Sequence, residues 1–294
     1  MHLPVLLKEV IENLDLKPGK TVLDATAGGG GHAEEILRRI TPGGRLITVD
    51  RDPQAIDRVR KRLEAVGGEV IYANDDFRNV DRIMEAAGIT AVDGAVFDLG
   101  VSSYQLDEAE KGFSFLKEGP LDMRFDPAKG MSAREIVNRF TRDELAGIIR
   151  EYGEERHARK VAEAICFARR KKRIDSTEDL VVVIREAIGG WYARQRLHPA
   201  ARTFQALRIY VNDELGAAEE GVKKALRLLN TGGRICVISF HSLEDRIIKN
   251  IFRNASHAGE VRLLTKKPII PTDAETRENP RARSAKLRVA ERTI

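Results

Sequence analysis

Val22-Leu23-Asp24-Ala25-Thr26-Ala27-Gly28-Gly29-Gly30-Gly31-His32-Ala33, with Leu46-Ile47-Thr48-Val49-Asp50 behind it, reads as a strand, a glycine turn, a helix and a second strand ending in a carboxylate. Glycines let the backbone pass close to a ligand, and a helix start leaves N–H groups unsatisfied. An acid after the second strand, here Asp50, can accept from two ribose hydroxyls. Together these describe half of a nucleotide site.

Which nucleotide depends on the turn itself. Gly28, Gly30 and Ala33 satisfy G-x-G-x-x-A, the dinucleotide fingerprint as written. Dinucleotide binders, however, place the glycines directly after the strand, so that the helix start meets a pyrophosphate. Here Asp24-Ala25-Thr26-Ala27 intervenes and puts a carboxylate at the strand end. That charge repels a pyrophosphate and suits a cationic ligand group. S-adenosylmethionine carries an ammonium and a sulfonium and no phosphate, and its ribose still needs Asp50. The pattern resembles the first motif of Rossmann-like methyltransferases, with a nicotinamide site and a purely structural turn as alternatives. No Gly-Lys-Ser/Thr follows, so a P-loop is excluded. His32 is either an ordinary first-turn residue or part of the cofactor wall.

Outward from this unit, apolar periodicity predicts a helix over 4–16, strands at 21–24, 45–50, 69–73 and 92–98, and helices at 31–40, 53–66 and 81–87. Such alternation implies a parallel sheet covered by helices on both faces. Residues 106–198 read differently, as loop and helix with no strand, with helical patterns at 132–139, 142–152, 155–171 and 176–188. The α/β rhythm returns with helices across 199–230, strands at 234–239, 261–265 and 285–291, and a helix near 242–254. The expected architecture is therefore α/β: a Rossmann-like sheet of six or seven strands from 1–105 and 199–294, interrupted by an all-helical subdomain at 106–198. Residues 266–284 read as a surface loop.

The 294 residues are 42% hydrophobic and 32% charged, as expected of a globular chain in the cytoplasm with no membrane span and no signal peptide. Cys166 and Cys236, the only cysteines, read as two buried thiols rather than a disulfide. The six histidines have no chelating spacing, so no metal is expected. A net charge of +5 favours a polyanionic partner. Candidate RNA-binding groups are Arg169 to Arg173, then Arg194, Arg196, His198 and Arg202 beside Trp191-Tyr192, and a third cluster of Arg281, Arg283, Lys286 and Arg288.

Asp98 ends the fourth strand, where methyl transfer occurs in such sheets, and it can accept hydrogen bonds from an exocyclic amine. It is the catalytic candidate; the alternative is that it binds only loop amides or the cofactor. Asp98-Leu-Gly-Val-Ser-Ser-Tyr-Gln-Leu-Asp107, Gly112-Phe-Ser-Phe115, Gly119-Pro-Leu-Asp-Met-Arg124, Phe204-Gln-Ala-Leu-Arg-Ile209 with Val211-Asn212 and Glu214-Leu215, His241-Ser-Leu-Glu-Asp-Arg246 and Arg283-Ser-Ala-Lys-Leu-Arg288 resemble the MraW/RsmH family across essentially the whole chain. Its departure at Ala201, where the family pattern leads one to expect threonine, touches nothing central.

The resemblance implies an S-adenosylmethionine-dependent methyltransferase acting on N4 of a decoding-centre cytosine in 16S ribosomal RNA of the small ribosomal subunit. It implies a cofactor site of Gly30, Gly31, His32, Asp50, Phe77, Asp98 and Gln105, to which the residues themselves add Asp24 and Gly28. Phe77 can pack on adenine or serve as a core aromatic. Two other readings stay open, a nicotinamide oxidoreductase and a non-catalytic RNA-binding assembly factor.

Overall fold

The computed structural model describes residues 3–193 and 197–294. Seven strands, β1 (Thr21–Asp24), β2 (Arg45–Asp50), β3 (Glu69–Asn74), β4 (Val92–Asp98), β5 (Leu229–Ser239), β6 (Val261–Leu263) and β7 (Lys286–Arg292), form one sheet in the order β3-β2-β1-β4-β5-β7-β6. The helices of the first half are α1 (Leu7–Asn13), α2 (Gly31–Ile40), α3 (Pro53–Glu64), α4 (Val80–Ala86), α5 (Ser103–Asp107), α6 (Ala133–Arg139) and α7 (Arg142–Gly153). Those of the second are α8 (Ala158–Lys171), α9 (Thr177–Tyr192), α10 (Ala201–Asn212), α11 (Glu214–Arg227), α12 (Ser242–His257) and α13 (Asp273–Glu278).

The chain divides into two compact units, residues 1–100 with 215–294, and residues 101–214. The first holds the sheet. Side chains alternate across a strand, and the central strands are apolar at both parities, so each feeds two cores. Leu23, Ile47, Val49, Ala95 and Phe97 enter one with α4, α11 and α12. Val22, Leu46 and Val96 enter the other with α1, α2 and α3. From β1 the chain moves outward through β2 and β3, then returns to place β4 on the opposite side of β1. Strand order thus reverses between β1 and β4, and open α/β sheets bind ligands in the crevice at such a point.

The sheet is not wholly parallel: β7 inserts between β5 and β6 and runs antiparallel to both. α1 is shorter than the 4–16 expected from periodicity, because Leu6 and Asp15, at φ 52° and 49°, interrupt helical geometry on either side. Asp213, at φ 47°, breaks the long 199–230 pattern into α10 and α11. The expected loop 266–284 contains α13, capped by Thr272 Oγ1 accepting from Glu275 N–H.

The second unit begins at Val101 and ends at Glu214, not at the 106–198 read from sequence. The reason is packing. Phe204 and Leu207 of α10 are buried in the same cluster as Leu145 and Ile149 of α7 and Leu180 and Ile184 of α9. Contact is so close that a Cβ at Gly153 would lie 2.5 Å from the Arg202 carbonyl oxygen. Capping boxes at Ser132/Glu135, Thr141/Glu144 and Ser176/Asp179 start α6, α7 and α9. Cys236 is buried, and Cys166 is only half-buried, unlike the pair of buried thiols expected.

Candidate functional site

β1 ends in Asp24 and its neighbour β4 in Asp98, and the register Asp24↔Val96 sets Asp98 two residues further along. The linker after β1 is tied into the sheet on both sides: Ala25 N–H donates to Val96 O at 2.9 Å and Ala27 N–H to Val49 O at 2.8 Å. Thr26 Oγ1 accepts from Asp98 N–H at 2.7 Å. One hydroxyl therefore fixes the first loop to the backbone of the residue that ends β4.

The glycine turn is held from below. Asp50 Oδ2 accepts from Gly28 N–H at 2.9 Å, and Oδ1 accepts from Asp52 N–H at 2.9 Å. Asp50 is thus a strut between turn and second-strand loop, with lone pairs left for a further donor. Gly30 has φ 77°, and a Cβ there would sit 3.1 Å from Arg62 Cδ. A Cβ on Gly31 would approach Pro4 Cγ to 2.8 Å. These two glycines are demanded by backbone sign and internal packing before any ligand is considered. α2 starts at Gly30 with no side-chain cap, leaving its first-turn donors to other partners.

His32 is 6% exposed, and its Nε2 lies 3.1 Å from Val5 O. A carbonyl only accepts, so Nε2 carries the hydrogen and donates. Nδ1, which in the neutral ring bears the lone pair, faces Asp98 Oδ2 at 3.8 Å. Asp24, 1% exposed, accepts from Thr26 N–H at 3.1 Å through Oδ1, while its buried Oδ2 has no hydrogen-bond partner among the described residues. Asp98 Oδ1 is likewise buried without a partner.

The electrostatics follow from that geometry. Burial pushes the Asp24 carboxyl up to about 7, against the pull of the Thr26 N–H and helped by Asp50. Burial, then the charges of Asp24 and Glu244, push Asp98 up to about 8. Asp50 is also raised by burial, although two N–H donors oppose it. Sequence reasoning missed two members of this group, Thr26 and Glu244. Glu244 is 2% exposed and closes the capping box of α12 with His241. It stands in the His241 to Arg246 segment, but only the fold brings its charge to Asp98.

The remaining candidates separate. The Phe77 ring packs edge-on to Phe97, centroids 5.5 Å apart, and against Gly221, where a Cβ would be 2.6 Å from its Cδ2. It is at least a core aromatic. Gln105 belongs to the helical unit, where its Oε1 accepts from Ser102 N–H at 2.9 Å as the cap of α5. Of the basic candidates, Arg169 donates to Val137 O at 2.7 Å, Lys172 pairs with Asp179 at 2.9 Å and Arg202 donates to Glu154 O at 2.8 Å. His198 stacks on Phe115, centroids 4.8 Å apart. Tyr192, a candidate for base stacking, is buried with its hydroxyl on Glu155, so it serves the core. Arg288 is buried against Asp245 at 2.7 Å, with Lys286 at 3.5 Å from the same carboxylate, so the third cluster is partly internal. Arg194 and Arg196 lie outside the described residues.

A doubly wound sheet, a glycine turn behind an acidic strand end and two acids at the switch point, each with a buried oxygen unpaired among the described residues, define an S-adenosylmethionine-dependent methyltransferase. The MraW methylase family model matches residues 1–293, and the chain belongs to that family. It is 46% identical over 308 residues to the ribosomal RNA small subunit methyltransferase H of Halothermothrix orenii, covering 100% of this chain and 99% of that one. The protein of the same name in Clostridioides difficile is 44% identical over 306 residues, covering 99% and 98%.

Proposed function

We propose that this chain methylates 16S ribosomal RNA of the small ribosomal subunit, in the cytoplasm, at N4 of a decoding-centre cytosine. The observation that carries the reading is the pair of acids at the ends of β1 and β4, each with a buried oxygen that has no partner among the described residues. Relatives named as small-subunit rRNA methyltransferases at 44–46% identity over nearly the whole chain support the substrate class. No helix among the described residues is long and apolar enough to cross a membrane.

The residues present fit S-adenosylmethionine, which when bound supplies an electrophilic methyl group on a sulfonium. Asp24 Oδ2 offers the acceptor an ammonium needs, in a site dry enough to make that charge pair strong. Asp50 holds the turn through Gly28 and keeps lone pairs for ribose hydroxyls. Gly28, Gly30, Gly31 and His32 shape the wall at the α2 start, and Phe77, braced by Phe97, bounds it beyond β3. Gln105 is proposed as a further cofactor contact, as the resemblance to the family implies. Asp98 is the catalytic residue: ionised, it accepts from the amino hydrogens of cytosine and aims the nitrogen lone pair, which is a positioning and electrostatic task. The helical unit is proposed to recognise the RNA.

The test is purified small subunits with radiolabelled donor, followed by mass mapping of the methylated nucleotide. Label on cytosine N4 that disappears in Asp98→Asn, with donor binding retained, is the expected result. Label on another nucleotide refutes the N4 assignment. Donor binding without transfer by the wild type points instead to an assembly factor.

A further inference from the structure

The outer face of α8 combines cations and exposed rings in a way that neither methyl transfer nor the core requires. Lys160, Phe167 and Lys171 recur at i, i+7 and i+11, which puts them on one helical stripe, with Arg159 and Arg170 beside it. Phe167 is 62% exposed and Trp191, at the end of α9, 49%. Each ring is covered by a lysine of this stripe: Lys171 Nζ is 4.6 Å from the Phe167 centroid, and Lys160 Nζ is 4.1 Å from the Trp191 ring. His157 stacks on Trp191 at 4.5 Å and steadies it.

The charge here is not cancelled. Among the described residues, none of Arg159, Lys160, Arg170 and Lys171 has a carboxylate within ion-pair distance, and the one acid of α8, Glu163, is taken by Arg142 at 3.7 Å. A face that served only solubility would intersperse both signs. Large exposed rings beside unneutralised lysines serve instead a polyanion whose units have stacking faces, which is single-stranded nucleic acid.

We propose that this stripe binds a single-stranded segment of RNA, with Phe167 and Trp191 as stacking platforms and the lysines as phosphate contacts. The inference rests on the proposed rRNA substrate and adds to it the surface and the strandedness. Lys160 and Phe167 are seven residues apart, about 10 Å along the helix, a span of a few nucleotides. A duplex hides its bases and leaves the rings nothing to stack on. On binding, each ammonium moves from its ring to a phosphate and a base takes its place, an exchange favoured because base–aromatic stacking is stronger than an exposed ammonium–ring contact.

Trp191 is the only tryptophan of the chain, so its emission reports on this face alone. A 12-nucleotide single-stranded RNA of mixed sequence is expected to quench it, and the same strand annealed to its complement is not. Phe167→Ala and Phe167→Leu should both weaken strand binding about tenfold, and the leucine variant keeps the apolar bulk and hence the melting temperature. Lys160→Gln with Lys171→Gln should lower the slope of log affinity against log salt by about 1.4, or 0.7 for each phosphate contact. Equal quenching by duplex, or affinity and slope unchanged in the variants, overturns the proposal. So does loss of binding to intact small subunits with strand binding unchanged, which would assign the face to a ribosomal protein. If wild type binds the strand as described but labels no rRNA, the functional reading fails and the stripe stands; if the variants methylate subunits with unchanged KM, the reverse holds.

Discussion

Asp24 and Asp98 are held above the ordinary carboxylate range chiefly by burial, and Asp98 also by the charges of Asp24 and Glu244, and this has a measurable consequence. A carboxyl whose folded pKa is raised binds its proton more tightly folded than unfolded. The stability it contributes is present below about 4, the unfolded value, and is lost as pH climbs through the folded values of about 7 and 8. The ligand-free protein is therefore expected to melt at progressively lower temperature from pH 4 to pH 8 through these groups, and Asp98→Asn to flatten that decline. Thermal melts across the range check it; an unchanged profile in the variant would assign the slope elsewhere. Donor affinity should rise as pH approaches about 7, because the donor's ammonium pairs only with ionised Asp24. Calorimetry at pH 7 in buffers of different ionisation heat should record proton release on binding.

Packing between elements explains motifs whose chemistry is opaque in the sequence. Asn212, 3% exposed at the end of α10, accepts from Phe125 N–H at 2.9 Å and donates to Met123 O at 2.7 Å and Arg208 O at 2.9 Å. It pins the Gly119 to Arg124 segment, in which Met123 is held at φ 65°. Asn212→Ala leaves buried backbone groups unpaired and should cost about 2–4 kcal/mol in a denaturant titration. Gly221 on α11 gives a sharper case because two effects oppose. An exposed helical glycine replaced by alanine gains about 1 kcal/mol, but here the added methyl meets Phe77 at 2.6 Å, and overpacking costs about 1–3 kcal/mol. Gly221→Ala is expected to lower the melting temperature, whereas a rise would mean that the Phe77 ring moves freely and is not set by this contact.

The molecule has two separate sources of stability. The sheet unit has cores on both faces, and residues 101–214 have their own, built from Leu121, Ile136, Leu145, Ile149, Val161, Leu180 and Ile184 among others. Leu180→Ala, at a site with no exposure, should cost about 2–5 kcal/mol of the helical unit's stability. Donor binding, whose proposed contacts lie mainly on the sheet unit, should change little when measured by calorimetry below the transition. A large loss of donor affinity in that variant would overturn the assignment of the donor contacts to the sheet unit.

The sequence by itself determined β1, β2 and β4 to the residue, since short apolar runs bounded by glycine and acid admit few alternatives. It also favoured a cationic ligand over a pyrophosphate, because Asp24 puts a carboxylate at the strand end, while leaving a nicotinamide site open. Tertiary structure alone decided the rest. The division at Gly100 and Glu214 depends on which core α5 and α10 join, and an amphipathic pattern gives a face without naming what covers it. Tyr192 and Arg288 read like surface groups until Glu155 and Asp245 are seen to bury them. Thr26 and Glu244 acquire their bearing on Asp98 only because residues 72 and 146 positions apart meet where strand order reverses, a relation set by sheet topology and by no local pattern.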